Sequence, residues 1–454
     1  MVVVAVAAAW PALSQPGLLN TRGGGDSPFL LQRLHQLTTA LAGGHFPVRW
    51  MPDAAYGDGY PFYNYYAPLS IYIAAAFRGL GFSFVRAIHL AQLAGFVVAG
   101  LGAFYLGRRW LRSDWAGLLA AVAYTAAPFH MVNVYVRGDS LAEFWAMAWY
   151  PVVLLAADGL VAAERPARRR AVALFALAYA ALILSHNISA LIFSPFLLLY
   201  LALRLWLPTR DHASEASSPP APLHARAPAL LLAALALAFA LAAFFFVPAL
   251  AEQDLAQLGP VTEGYFHYSN HFRGLDLVGR GLLFDYNPDG GVAFRLGLAQ
   301  ALGALAGAAV LLGRRPARRS PVVLFAATAF VVAVVMITPL SRPLWDRLPL
   351  LPFTQFPWRF LSVAALFGAL LTGGLATLPG RGAGPALAGV VGLVLLLAAL
   401  LGLRTDHLIL TDADVTAARL AQYEWFTGNI GTTVSAEYLP PAAVPRPWTS
   451  AWLN

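Results

Sequence analysis

The sequence predicts an all-α polytopic membrane protein, and three observations carry that prediction. Hydrophobic residues make up 59% of the 454-residue chain and charged residues only 11%, against about a quarter in an ordinary soluble domain. The apolar residues fall in long blocks of Leu, Ala, Val and Phe, with a mean hydropathy of +0.64. The basic residues, all of them Arg, gather in short connectors between those blocks. Such a composition excludes a soluble globule, a disordered chain and a collagen-like chain. With no cysteine, the chain carries no disulfide framework, zinc–thiolate site, iron–sulfur cluster or cysteine nucleophile.

A helix crosses about 30 Å of hydrocarbon with about 20 apolar residues. Segments of that kind run at 2–19, 87–107, 115–136, 144–162, 171–185, 188–207, 228–250, 295–313, 320–339, 358–377 and 385–403, about eleven spans. The first is the weakest: it contains Pro11 and Pro16 and has no basic lead, and it reads as a clipped span rather than a signal peptide. The stretch 69–82 is short and flanked by aromatics, and reads as a helix lying in the interface.

The arginines test this layout. Arg108, Arg109, Arg112; Arg165, Arg168, Arg169, Arg170; Arg204, Arg210, Arg226; Arg314, Arg315, Arg318, Arg319; and Arg381 occupy five connectors that alternate counting puts on one side. By the positive-inside rule that side is cytoplasmic. It holds half of the 30 basic residues, so the net charge of +8 is a topology signal and not a nucleic-acid signature. The N-terminus is then cytoplasmic and the C-terminus outside. A transmembrane domain covers 1–403, with outer loops 20–86, 251–294 and 340–357 and a Pro/Ser/Ala-rich, disordered cytoplasmic linker at 208–227. Residues 404–454 form a short outer tail that reads as a truncated domain.

Chemistry is then sought on the outer side, where most of the scarce acids lie. In the first loop, Asp26-Ser27-Pro28 is a helix start, and Phe29–Leu41 has helical apolar spacing that stops at Gly43-Gly44. Asp26 either caps that helix or serves as a base or metal ligand. His45, Arg49, Asp53 and Asp58 follow among seven Trp, Tyr and Phe residues, a set suited to phosphate and sugar rings or to an interfacial belt. In the outer turn Arg137-Gly138-Asp139-Ser140-Leu141-Ala142-Glu143, the two acids are four apart and share a helical face. They are either locally paired or functional, because charge this close to lipid is costly otherwise. Ser185-His186-Asn187 breaks an apolar run, as a turn or as part of a site. His267 and His271 have the spacing of a helical metal pair, without a supporting Glu. Arg359, in Phe356-Pro357-Trp358-Arg359-Phe360, either snorkels or binds a lipid phosphate. No nucleotide loop, dinucleotide fingerprint, zinc-protease motif or serine-hydrolase elbow is present. Asp412-Ala413-Asp414 has the spacing used by metal-dependent nucleotide-sugar transferases but lacks a nucleotide fold around it.

The order of a short first span, a large outer loop with an early Asp, an aromatic interfacial helix and many spans resembles the GT-C superfamily of membrane glycosyltransferases. Gly25-Asp26-Ser27, His45-Phe46-Pro47-Val48-Arg49-Trp50, Gly57-Asp58-Gly59-Tyr60-Pro61, Arg137 to Glu143, Ser185-His186-Asn187, Phe356 to Phe360 and Glu437-Tyr438-Leu439-Pro440 are similar to bacterial membrane proteins termed 6-pyruvoyl-tetrahydropterin synthase-related, close to the YfhO-type proteins. Pterin chemistry is not implied, since the three-His zinc site of such a synthase is missing. The resemblance implies a GT-C fold in the bacterial cytoplasmic membrane, and sugar transfer from a polyprenyl-phosphate donor to a lipid, glycan or protein acceptor on the outer face. Asp26 would then be the base or a divalent-metal ligand (Mg or Mn), assisted by Asp139 or Glu143. Arg137 or Arg359 would neutralise the leaving phosphate, with His45, Arg49, Asp58, His186 and Asn187 binding substrate. A transporter or flippase using the same cavity, and a non-catalytic protein that keeps the fold, remain the competing readings.

Overall fold

The computed structural model describes residues 1–21, 27–138, 140–163, 165–206, 227–314, 320–380 and 382–443. Asp26 and Asp139 lie outside the described residues, as do most of the expected linker 208–227 and Arg315, Arg318, Arg319 and Arg381. In chain order the described helices are α1 (Val2–Leu13), α2 (Ser27–Ala42), α3 (Phe62–Tyr65), α4 (Leu69–Gly79), α5 (Phe84–Leu111), α6 (Asp114–Thr125), α7 (Pro128–Tyr135), α8 (Leu141–Val161), α9 (Arg168–Ser185), α10 (Asn187–Trp206), α11 (Ala227–Ala251), α12 (Leu298–Gly313), α13 (Pro321–Ile337), α14 (Arg342–Trp345), α15 (Leu361–Gly373), α16 (Ala383–Leu400) and α17 (Ala417–Thr427). The one sheet among them is a two-residue pairing of Leu18–Leu19 with His407–Leu408.

Every apolar segment marked in the sequence contains a helix, yet fewer than eleven meet the length and composition of a crossing. Seven do so among the described residues, and an eighth follows if α13 and the segment Pro339–Trp345, bent by 90° against it, are one broken span. α1 stops after 12 residues, short of Pro16 and the positive-φ Gly17. α12 has 16 residues, and the 18 residues of α9 begin with three arginines. The helix expected at 69–82 is α4, whose buried Ser70, Ile71, Ala74 and Ala75 form one stripe at helical spacing.

Small residues bring the helices together, as lipid-facing bundles require when no hydrophobic drive separates helix from solvent. Where α5 turns into α6, a Cβ on Gly107 would meet Ala120 at 3.1 Å, and one on Gly117 would meet the Phe104 carbonyl at 2.7 Å. α12 presses on α15 at Gly307, where a Cβ would lie 2.0 Å from the Leu371 oxygen. By contrast α11 buries its Ala234, Ala238 and Ala242 face and leaves a wall of Leu and Phe exposed, as a peripheral helix in lipid does.

The arginine-rich end is locked by a second device. Asp158, near the end of α8 and 1% exposed, accepts hydrogen bonds from Arg109 (3.0 Å), Trp110 (3.1 Å) and Tyr200, and pairs with Arg204 at 3.2 Å. One carboxylate thus ties α5, α8 and α10, while Arg314 at the end of α12 donates to the Thr377 carbonyl at 2.5 Å. Connectors that alternate along the chain therefore meet at one end of the bundle, in agreement with the arginine pattern.

The described part of the tail, 404–443, packs against the segment that follows α2. Glu424 of α17, fully buried, accepts the amides of Ala55 (3.2 Å), Tyr56 (2.8 Å) and Gly431 (2.7 Å), joining the first outer loop to the tail. Tyr60 bonds Thr433 and accepts the Tyr438 amide at 2.9 Å, and a Cβ on Gly431 (φ +58°) would fall 2.0 Å from the Tyr60 ring. Both residues of the Asp412-x-Asp414 pair serve as caps: Asp412 accepts the Phe84 amide and pairs with Arg78, and Asp414 closes a capping box with Thr411. Replacing Glu424 by Ala leaves three amides without an acceptor and should cost about 2–4 kcal/mol. The expected readout is faster proteolysis of the 417–443 segment in the purified protein, with Glu424→Gln intermediate; equal protection in Glu424→Ala would show that the carboxylate does not hold the tail.

Candidate functional site

At the end of the bundle opposite the arginine-rich connectors, the long loops and the tail line a cavity of about 1390 Å³. It is built upward from one carboxylate. α7 opens at Pro128 and ends at Tyr135, and the chain reverses through Arg137 and Gly138 before α8 begins. Glu143 then falls in the first turn of α8, where the helix dipole favours an acid. Only 1% exposed, its Oε2 accepts Arg137 Nη1 at 2.5 Å and lies 3.7 Å from Arg359 Nε. Arg137 also donates to Asn133 at 2.8 Å and sits over the Trp358 ring; Arg359 donates to the Thr354 carbonyl at 3.1 Å and sits over Phe356. Two guanidinium groups are thereby fixed in the cavity wall, with their common carboxylate behind them.

The break between α9 and α10 supplies the next group. Extended backbone at His186 (φ −159°) ends α9, and its Nδ1 accepts the Ser189 amide at 3.2 Å at the start of α10. In the neutral ring the proton therefore resides on Nε2, a donor. His186 and Asn187 both line the cavity. Loop 251–294 contributes His271 and Arg273. His271 Nε2 donates to the Tyr265 carbonyl at 2.5 Å, and burial holds this imidazole below the ordinary histidine range. The tail contributes Thr432 to Ser435, Glu437 and Tyr438. Burial pushes the Glu437 carboxyl above the ordinary glutamate range. Aromatic faces complete the walls, with Tyr65 stacked on Tyr438 at 5.1 Å and Phe294, Trp358 and Phe356 stacked in series.

Of the residues singled out from the sequence, Arg137, His186, Asn187 and Arg359 come together here, and Glu143 stands behind them as a positioning residue outside the cavity lining. His45, Arg49 and Asp58 do not line it. His45 is exposed beside the Ala40 carbonyl, and Asp58 is exposed after a 3-10 turn. Arg49 ties Asn64 to the Phe244 carbonyl of α11, and Asp53 is taken up by Gln36. His267 and His271 are not on one α-helix; His267 caps a 3-10 turn, and no cluster of three His, Asp or Glu fit for a metal occurs among the described residues.

Sequence reasoning passed over Arg33 and gave Glu437 no role. Arg33 is 3% exposed inside α2, donates to Thr432 through Nε and Nη2, and lies 4.6 Å from the Tyr66 ring centre. The available signal was register: Arg33 falls four residues after Phe29 and four before Leu37, on the buried face of α2. Replacing Arg137 by Met leaves Glu143 with its longer contact to Arg359, and should destabilise the protein by about 3 kcal/mol, since breaking a buried ion pair strands a charge. Chemical unfolding in detergent measures this. Adding Glu143→Gln should restore part of the loss, and strict additivity of the two changes would rule out the coupling.

Comparison with known proteins follows this geometry. The fold is similar to ArnT of Cupriavidus metallidurans, solved with undecaprenyl phosphate bound, at 14% identity over 93% of this chain and 76% of that one, with a TM-score of 0.53. The oligosaccharyltransferase of Archaeoglobus fulgidus aligns at 16% identity over 99% of this chain and 61% of that one, with a TM-score of 0.49. The likeness to ArnT is one of fold, and the fold is the GT-C type. A search of curated protein sequences returns no match. Residues 63–403 match the family described as "6-pyruvoyl-tetrahydropterin synthase related domain; membrane protein". With three quarters of its length inside that match, the chain belongs to this membrane-protein family.

Proposed function

We propose that this protein transfers a sugar from a polyprenyl-phosphate donor to a lipid, glycan or protein acceptor on the outer face of the bacterial cytoplasmic membrane. The observation that carries the reading is the pair Arg137 and Arg359, held by one buried carboxylate in the wall of a large aromatic-lined cavity. Two fixed guanidinium groups suit a phosphate, and preorganised charge is most effective where water is scarce. The GT-C neighbour crystallised with undecaprenyl phosphate supports the same donor class.

In this reading an acceptor hydroxyl gives its proton to the carboxylate of Asp26 or Asp139, and its oxygen attacks the anomeric carbon of the donor sugar. The bond from that carbon to the phosphate oxygen breaks, and the electron pair leaves on the polyprenyl phosphate, whose charge Arg137 and Arg359 offset. His186, through Nε2, and Asn187 donate to phosphate or sugar oxygens. Gly138 and Ser27, which flank these aspartates in the chain, are in close contact: a Cβ on Gly138 would lie 2.5 Å from the Ser27 amide nitrogen. Asp26 and Asp139 are also the candidate ligands for Mg or Mn.

The decisive measurement is sugar transfer from a polyprenyl-phosphate sugar by the full chain in vesicles. Asp26→Asn should lower the rate by about 10²–10⁴-fold, as loss of a general base does. Unchanged transfer would remove Asp26 from the mechanism, and movement of donor across the bilayer without bond formation would favour a transporter.

A pH dependence also follows. Glu437 has a raised pKa, so it is neutral in acid and acquires its charge as pH rises; His271, lowered, is neutral near pH 7 and cationic in acid. Both changes make the cavity more positive as pH falls. Affinity for the singly charged phosphodiester donor should therefore increase from neutral to mildly acidic pH, and Glu437→Gln should flatten the slope of log affinity against pH. A slope unaltered in that variant would show that Glu437 does not sense the bound anion.

A further inference from the structure

Arg273 stands apart from the other cavity arginines. Arg137 and Arg359 share Glu143, and Arg33 is packed between aromatic rings and the Thr432 backbone. Close by, Arg295 pairs with Asp276 at 3.3 Å. For Arg273, no described carboxylate oxygen lies within ion-pair distance, and its buried Nε makes no hydrogen bond. Its single side-chain bond runs from Nη1 to the Gly290 carbonyl, at 3.2 Å. Asp289 lines the same wall without pairing with it.

The group is nonetheless held in place. Its own amide bonds the Ile337 carbonyl at 2.9 Å, which anchors this part of loop 251–294 to the end of α13. Its guanidinium lies against Gly291, where φ is +71° and a Cβ would sit 1.7 Å from Nη2. Half-buried and oriented, with no ion pair and only the longer-range field of Asp276 to offset its charge, a guanidinium of this kind incurs a desolvation cost that a bound anion offsets. Burial lowers its pKa in keeping with that cost. His271, two residues earlier, packs edge-on to Phe356 at 4.6 Å, the same ring that Arg359 covers at 5.1 Å. Arg273 and Arg359 thus approach the cavity from two elements, with the His271–Phe356 contact between them.

We infer that Arg273 is a second anion-binding point of the cavity, taking a phosphate-class group distinct from the one held at Arg137 and Arg359. The position of the first anion rests on the donor reading above; the second rests on Arg273 itself. Two sources share the chemistry: the second phosphoryl group of a lipid diphosphate donor, and an anionic group carried by the acceptor.

Inorganic phosphate is the first probe, titrated calorimetrically into the purified full chain. Two sites are expected; Arg273→Gln should remove one and Arg359→Gln the other. Gly291→Ala, which keeps the charge but occupies the space of the guanidinium, should reproduce the loss seen in Arg273→Gln, and Arg273→Lys should retain part of the binding. Undecaprenyl phosphate and undecaprenyl diphosphate then separate the sources. If the diphosphate binds at least about tenfold more tightly than the monophosphate, and Arg273→Gln abolishes the difference, the second anion belongs to the donor. Equal lipid affinities, with one phosphate site persisting on the lipid-saturated wild type and absent in Arg273→Gln, assign it to the acceptor. Phosphate stoichiometry identical in wild type and Arg273→Gln overturns the inference. Should Arg359→Gln leave monophosphate binding intact while Arg273→Gln still removes a site, the donor reading fails and the second site stands.

Discussion

Glu143 is the group on which the cavity depends. A carboxylate at the membrane end of a helix is costly unless it is paired, and this one is paired twice, with arginines more than two hundred residues apart in the chain. The two guanidinium groups repel each other, so neither would keep its place in a half-dry wall without the acid behind them. That arrangement sets two guanidinium groups in the cavity wall around one buried carboxylate. It also links α8 to the Phe356–Phe360 lead-in of α15, so the geometry of the wall and the packing of the bundle are set together.

Asp158 performs the corresponding task at the other end, binding Arg109 and Arg204 where the arginine-rich connectors converge. The same economy governs both: each of these buried acids serves several partners. Between these two clamps the helices pack through Gly107, Gly117 and Gly307, contacts that leave no space for a side chain. The tail supplies part of the cavity wall, through Thr432 to Ser435, Glu437 and Tyr438. Its anchors are Glu424, which gathers three amides, and Gly431, which lets the Tyr60 ring approach. A segment that looks too short to fold alone is stable here because it borrows acceptors and aromatic surface from the first outer loop.

The site was legible in part, for identifiable reasons. Arg137, His186, Asn187 and Arg359 were readable because a polar residue at the edge of an apolar run is expensive and therefore conspicuous. His45, Arg49 and Asp58 carried the same residue types in a long loop, where exposure costs little and composition discriminates poorly. Glu143 was picked out as a charge either paired or functional, but its contact with Arg359 was not, since nothing local announces that Arg359 lies beside it. Arg33 was hidden by good helical periodicity, and Glu437 by its place in a tail whose partners lie near residue 60 and in α2.

By itself the sequence determined the class of protein, the location of its helices and the end at which the arginines gather. Those properties follow from local quantities: the length of an apolar run, the residue that caps it, the charge of a connector. Only the tertiary structure decided that α1 and α12 stop short of a crossing length, that the tail lines the cavity, and which charges face one another. The hydrogen bond from Arg33 to Thr432 spans 399 residues, and no short-range pattern encodes such a pairing. It arises because a buried polar group in a bundle surrounded by lipid is costly unless it finds a partner inside the protein, and only the packed bundle specifies which partners are within reach.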